Sequence, residues 1–230
     1  MLIKGVRAVL FDFDGTLVQP AIDFALMRRE VLAVVARFGI DPAPLANYYV
    51  LETVELVRAR LAAEPDRAAA FREQAEAAIL AVELEAAERT APYRRVPAML
   101  ATLRARSYGV GIVTRNARQV VERVLARAPL KHSVLLTRDD VPHVKPDPRH
   151  LLAALAALGV APAEALMCGD HPMDIVSGQR AGLRTVGVLS AGLDAQHFAQ
   201  VRPDLILAEA ADLPDHLDDG GPGAPGAPIA

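Results

Sequence analysis

Six short apolar runs, Val6 to Phe11, Val110 to Val113, Val134 to Leu136, Ala165 to Cys168, Thr185 to Leu189 and Leu205 to Ala208, limit what this chain can fold into. None has the apolar/polar alternation of a strand with one wet face, so they read as strands covered on both sides, the mark of a parallel sheet. Helical patterns separate most of them: Val96 to Ser107, Ala117 to Ala128, Pro148 to Leu158 and Pro172 to Ala181. Gly109, Gly159 and Gly182 follow three of these and read as C-cap glycines. The expected class is α/β, a doubly wound, Rossmann-like parallel sheet that binds ligands beyond the carboxyl ends of its strands.

One gap breaks the alternation. From Val18 to Ala91 no strand-like run occurs, whereas Ile22 to Phe38, Leu45 to Leu61 and Asp66 to Ala87 carry helix formers with apolar positions three and four apart. The spacing predicts a helical cap inserted after the first strand. The expected organisation is an α/β core over 1–17 and 92–218, the cap over 18–91, and a flexible Gly/Pro/Ala tail over 219–230.

With 230 residues the chain can hold a core and an insertion of this size. A net charge of -3, 4% aromatics and no Trp speak against a nucleic-acid surface, which needs a concentrated basic face and stacking platforms. Cys168 is the only cysteine, so no internal disulfide forms. Neither a signal-peptide pattern nor an apolar run near the ~20 residues of a membrane span is present. The expectation is a soluble, cytoplasmic protein with no membrane partner.

Chemistry concentrates where the first run ends, in Leu10-Phe11-Asp12-Phe13-Asp14-Gly15-Thr16-Leu17. Side chains at i and i+2 of an extended segment point the same way, so Asp12 and Asp14 face one spot past the strand. An ion taken out of water costs several kcal/mol unless a cation or hydrogen bonds compensate it, so something must hold this pair. An Asx-type turn that happens to contain two acids is the alternative for the pair alone. Later strand ends bring more polar groups: Val113-Thr114-Arg115-Asn116, then Val144-Lys145-Pro146-Asp147-Pro148 opening a helix, then Cys168-Gly169-Asp170-His171-Pro172-Met173-Asp174. Cys168 itself reads as a small buried hydrophobe, His171 as a loop residue before a helix that Pro172 starts, and Asp139 and Asp140 as solvated.

In these four segments, in this order, the sequence resembles the haloacid dehalogenase superfamily, in its phosphatase branch with a helical cap, from about Val6 to Leu189. The resemblance implies hydrolysis of a small phosphorylated metabolite through an aspartyl phosphate, with Asp12 as nucleophile and Asp14 as general acid and base. It implies Mg2+ on Asp12, the Asp14 backbone carbonyl and Asp170, with Asp174 a ligand or a partner just behind. Lys145 then offsets the charge of Asp12 and the phosphoryl group, while Thr114, Arg115 and Asn116 bind phosphoryl oxygens. Many relatives place Asn directly after the Thr. Here Arg115 intervenes.

Asp14 argues against a dehalogenase, which has no alkoxide to protonate, and the absence of lysine from Val18 to Ala91 removes Schiff-base chemistry from the cap. A phosphomutase or phosphotransferase needs the same constellation and is the alternative. A signalling receiver domain lacks a helical insertion after its first strand. A non-catalytic binding protein of this fold would lack the nucleophile or the lysine.

Overall fold

A computed structural model describes residues 2–189 and 192–218. The tail expected over 219–230 lies outside the described residues. Six strands form one sheet in the order β3-β2-β1-β4-β5-β6, every neighbouring pair parallel. They are β1 (Ala8–Phe11), β2 (Gly109–Val113), β3 (Val134–Leu136), β4 (Ala165–Gly169), β5 (Arg184–Val188) and β6 (Leu205–Leu207). Between β1 and β2 the chain makes four helices, α1 (Phe24–Arg37), α2 (Val50–Arg60), α3 (Pro65–Ala87) and α4 (Val96–Ala105). Beyond β2 come α5 (Arg118–Arg127), α6 (Arg149–Leu158) and α7 (Pro172–Ala181). The doubly wound α/β class read from the apolar runs is the observed one.

β1, β2 and β4 are buried along their whole length, which is why their sequences do not alternate. α6 packs on β1, β2 and β3 through Leu151, Ala154, Leu155 and Leu158, and these meet Ala8, Leu10, Val113 and Met167 of the sheet. α7 lies on β4 and β5. Strand order reverses between β1 and β4, and Phe11, the last residue of β1, stands in register with Cys168, one residue before the end of β4. In an open parallel sheet that reversal leaves a crevice, so a ligand site belongs there.

The described chain divides into two compact units, Ala21–Arg89 and the remainder. Within the smaller unit α1 packs against α2 and α3, burying Met27, Val31, Val34 and Val35 at helical spacing against Val54, Val57, Phe71, Ala75 and Ile79. Asp23 caps α1 by accepting the Leu26 N–H at 2.8 Å. In the larger unit the segments flanking this insertion run side by side. Gln19 N–H donates to Ala91 O at 2.8 Å and Tyr93 N–H to Leu17 O at 3.1 Å.

Three local expectations are corrected. Gly159 and Gly182 end α6 and α7 in the left-handed region, but Gly109 is the first residue of β2, and Ser107, at φ +64°, makes the left-handed turn after α4. A Cβ on Gly109 would press on Ala8, so close strand packing rather than a cap calls for glycine there. The helix expected from Leu45 is a 3-10 turn over Ala43–Leu45, and α2 starts at Val50. Asp140 is not simply solvated: it accepts the N–H and hydroxyl of Thr137, both at 2.7 Å, and pairs with Arg118 at 2.7 Å. Those bonds outweigh its partial burial and hold its carboxyl below the usual range. Among the described residues no helix is long and apolar enough to cross a membrane.

Candidate active site

Asp12 is the first residue past β1, and its N–H still donates to Cys168 O at 2.9 Å, so the neighbouring strand fixes its backbone. Lys145, in the turn before α6, reaches the same point from behind. Its Nζ lies 2.5 Å from Asp12 Oδ1 and 2.7 Å from Asp174 Oδ1, and the side chains of Lys145 and Asp174 are each 1% exposed. Burial alone would lower the lysine pKa, yet the two carboxylates outweigh it and hold Lys145 above its ordinary value. A buried ammonium between two carboxylates stays charged.

Asp174 is held at both ends. Its Oδ1 faces Lys145, and its Oδ2 accepts the His171 N–H at 3.1 Å at the start of α7. His171 Nδ1 in turn accepts the Met173 N–H at 3.1 Å, so this histidine caps the helix. Burial lowers its pKa.

Asp170 follows β4, and one of its carboxylate oxygens accepts the Thr16 hydroxyl at 3.1 Å. The turn between Asp12 and Thr16 closes through Gly15 at φ +75°, and a Cβ on Gly15 would overlap the Asp170 carboxylate. Only glycine lets that backbone come so near the acid. Burial first, then the charges of Asp12 and Asp174, pushes the Asp170 carboxyl up to about 8. Asp12 is raised to about 6, because burial and Asp174 outweigh the pull of Lys145.

Asp12, Asp170 and Asp174 each offer a carboxylate oxygen, and these lie within 4.8 Å of one another. Three acids against one ammonium leave the cluster short of positive charge, and the neighbouring acids add to burial, the larger cause, in raising Asp12 and Asp170. A hard divalent cation with oxygen ligands fits this donor set.

On the other side, Thr114 is buried past the end of β2, with its N–H on Leu136 O at 3.0 Å and its hydroxyl accepting the Asn116 N–H at 3.2 Å. The Asn116 side chain turns to Asp14, its Nδ2 donating to Asp14 Oδ2 at 2.6 Å. Arg115 points to Met173, with Nη1 3.0 Å from Sδ. The structure therefore gathers Asp12, Lys145, Asp170 and Asp174 in one cluster, joins Asp14 to Asn116, and sets Arg115 against the start of α7.

Three residues that carry no role in the sequence reading touch this cluster. Thr16 bonds Asp170, and its place in Asp12-Phe13-Asp14-Gly15-Thr16 is the one available sequence signal. His197 Nε2 donates to Asp170 O at 3.0 Å. His150, on α6 and fully buried, accepts the Lys145 N–H on Nδ1 at 3.3 Å; burial and the Lys145 charge hold it neutral, with a pKa of about 3. Neither histidine stands in a recognisable pattern.

The profile of a family described as haloacid dehalogenase-like hydrolase matches residues 9–188. Among curated proteins, the pyrophosphatase PpaX of Bacillus cereus (strain AH820) is 42% identical over 129 residues, 55% of this chain and 60% of the relative. PpaX of Bacillus mycoides (strain KBAB4) is 41% identical over 123 residues, 53% of this chain and 57% of that one. The chain thus spans about three fifths of the length of the curated relatives it matches. Among solved structures, a hydrolase from Pseudomonas syringae is similar with a TM-score of 0.66 at 21% identity, covering 91% of this chain and 97% of that one. A protein of Haemophilus somnus 129pt described as a predicted phosphoglycolate phosphatase gives a TM-score of 0.62 at 21% identity, covering 92% and 97%. At such identity these structures speak to the fold. The family match runs from β1 through β5 and contains all four strand-end segments, and on that match the chain belongs to the haloacid dehalogenase-like hydrolases.

Proposed function

We propose that the chain hydrolyses a small phosphate monoester through an aspartyl phosphate on Asp12. The observation that carries the reading is the pairing of two differently held aspartates on one turn: Asp12 against the buried Lys145, and Asp14 against an amide donor. One carboxylate is thereby suited to attack and the other to carry a proton. In the first step an Asp12 oxygen bonds to phosphorus, the bond from phosphorus to the leaving oxygen breaks, and Asp14 gives that oxygen its proton. In the second, Asp14 takes a proton from water as the water oxygen attacks phosphorus, the bond to Asp12 breaks, and phosphate leaves.

Lys145 remains charged throughout and offsets Asp12 and the phosphoryl oxygens, while the buried Thr114 segment and Arg115 supply further donors. Asp12, the Asp14 carbonyl and Asp170 are the ligands proposed for Mg2+. Asp174, with both oxygens already engaged, holds Lys145 from behind. When bound, the cation neutralises the clustered carboxylates and polarises the phosphoryl group. The helical unit is proposed to act as a cap that favours small substrates over folded phosphoproteins. Because the curated relatives are named pyrophosphatases, pyrophosphate belongs in the substrate panel beside the monoesters.

The test is phosphate release from a panel of phosphorylated metabolites, an aryl phosphate and pyrophosphate, with Mg2+ and after exhaustive chelation. Chelation should stop turnover and Mg2+ restore it, with Ca2+ a poor substitute. Asp12→Asn should lower turnover on the order of 10^3-fold or more with an unchanged circular dichroism spectrum. Near-normal turnover by that variant would overturn the mechanism, and full activity without metal would overturn the cofactor.

A further inference from the structure

The loop after β2 aims an amide at the proposed acid/base and holds it there. Asn116 is tied on both sides of its Cα: its N–H donates to Thr114 Oγ1 at 3.2 Å, and its carbonyl accepts the Arg138 N–H at 3.2 Å. Arg138 adds a second bond, from Nη1 to the Arg115 carbonyl at 3.1 Å. With the backbone fixed and the residue 8% exposed, the amide has little freedom, and its Nδ2 stands 2.6 Å from Asp14 Oδ2. Asp14 itself sits on a tight turn, where Gly15 N–H donates to Val18 O at 2.8 Å. The turn sets its backbone but not which carboxyl oxygen faces a reacting group.

We propose that Asn116 is a positioning residue for Asp14: by donating to Oδ2 it orients the carboxyl group and confines the transferable proton to Oδ1. An oxygen that accepts an N–H cannot also present a proton toward that donor, so the proton resides on the other oxygen. The inference rests on the aspartyl-phosphate reading above and assigns Asn116 this task in place of contact with the phosphoryl group, since its Nδ2 faces Asp14. The chemistry gives it a signature. A poor leaving group such as an alkoxide needs its proton in the first step, whereas a dinitrophenolate leaves without one. Release of the phosphoryl group from Asp12 needs the base whatever the substrate was.

The experiment compares kcat/KM for an alkyl phosphate and for 2,4-dinitrophenyl phosphate in the wild-type protein, Asn116→Ala and Asn116→Leu, the last similar in volume and uncharged but without the N–H. Loss of the amide should lower the alkyl value about 10^2-fold while changing the dinitrophenyl value less than about threefold. With the dinitrophenyl ester, both variants should release one equivalent of dinitrophenolate in a burst before a slowed steady state. In an Asp14→Asn background, adding Asn116→Ala should change the alkyl value by no more than about twofold, because the residue acts through Asp14.

An equal fall for both esters, or a further full loss in the Asp14→Asn background, would overturn the inference and leave Asn116 as a phosphoryl contact or a fold element. So would variants of either kind that behave like wild type. Should Asn116→Ala not fold, Asn116→Leu carries the same comparison. Turnover by Asp12→Asn would instead strike the aspartyl-phosphate reading, so the two failures are distinguishable.

Discussion

The two units bury different things. In Ala21–Arg89 the interior is Met27, Val31, Val34, Val35, Val57, Phe71 and Ile79, with Thr53 and Glu83 as the buried polar exceptions, and the ion pairs Arg58–Glu55, Arg67–Glu64 and Arg72–Glu76 lie outside. In the larger unit the carboxyl ends of β1 and β4 enclose Lys145 and Asp174 with Asp12 and Asp170 against them, and His150 and Thr114 are buried close by. Each buried ion costs several kcal/mol before its partners compensate it, so folding alone does not account for such a cluster. The contrast separates a region built by helix packing from one where the sheet carries charge for chemistry. Stability in the first should follow volume removed, and in the second it should follow charge and pH.

The largest effect is expected from Phe71→Ala. Phe71 is fully buried in the helical unit and meets Phe38 edge-on at 5.4 Å between centroids. Removing it leaves a cavity that neighbouring helices fill only partly, at a cost of about 3–5 kcal/mol. The chain has no Trp, so denaturant unfolding followed by far-ultraviolet circular dichroism is the suitable measurement. A loss under about 1 kcal/mol would mean that this unit is not packed as a close-fitting core.

A smaller effect, and one that only the charged region should show, is a pH slope in the metal-free protein. The Asp170 carboxyl is raised from 3.8 to about 8 by burial, Asp12 and Asp174. The folded state therefore keeps a proton that the unfolded state has already lost, so this contribution is full below about 4 and disappears as pH rises to 8. His150, depressed to about 3, works in the opposite direction, but only below 6.5. Between pH 6.5 and 8 the metal-free protein should thus lose about 1–2 kcal/mol. Asp170→Asn should remove the slope, and saturating Mg2+ should flatten it in the wild-type protein. A flat profile without metal would show that burial and the neighbouring acids do not hold the Asp170 proton in the folded state.

The same contrast explains what could be read in advance. Six strands were legible because burial on both faces leaves continuous apolar runs such as Val9-Leu10-Phe11 and Leu166-Met167-Cys168. The acids were legible as candidates because charged residues at strand ends have few other reasons to exist, and Lys145 was legible only through the order of the four segments that carry the family resemblance. What the chain hides is who faces whom across long separations. The Asn116 amide meets Asp14 over 102 positions, and the backbone of Lys145 leans on His150, whose sequence context carries no pattern. Ser107 takes the left-handed turn that Gly109 invites, because Gly109 is needed against Ala8 in the sheet. In each case a tertiary neighbour, absent from local sequence, decides the role.

The smallest effect sharpens the comparison by holding distance nearly constant. Arg72 and Glu76 on α3 lie 2.6 Å apart with side chains 53% and 48% exposed, while Lys145 and Asp174 lie 2.7 Å apart at 1% each. Distance does not rank these pairs; solvent does. The Glu76 carboxylate, by hydrogen bond and charge, holds Arg72 above its usual value, but water and salt screen the attraction, and both side chains lose rotamer freedom to keep it. The order is also the weaker one along a helix, with the cation N-terminal to the anion, against the macrodipole. A double-mutant cycle with Arg72→Ala and Glu76→Ala should therefore give a coupling of about 0.2–0.5 kcal/mol that fades in 1 M salt. A coupling above about 1 kcal/mol would mean that the outside of the helical unit also stores stability in charge, and the division between the two regions would no longer hold.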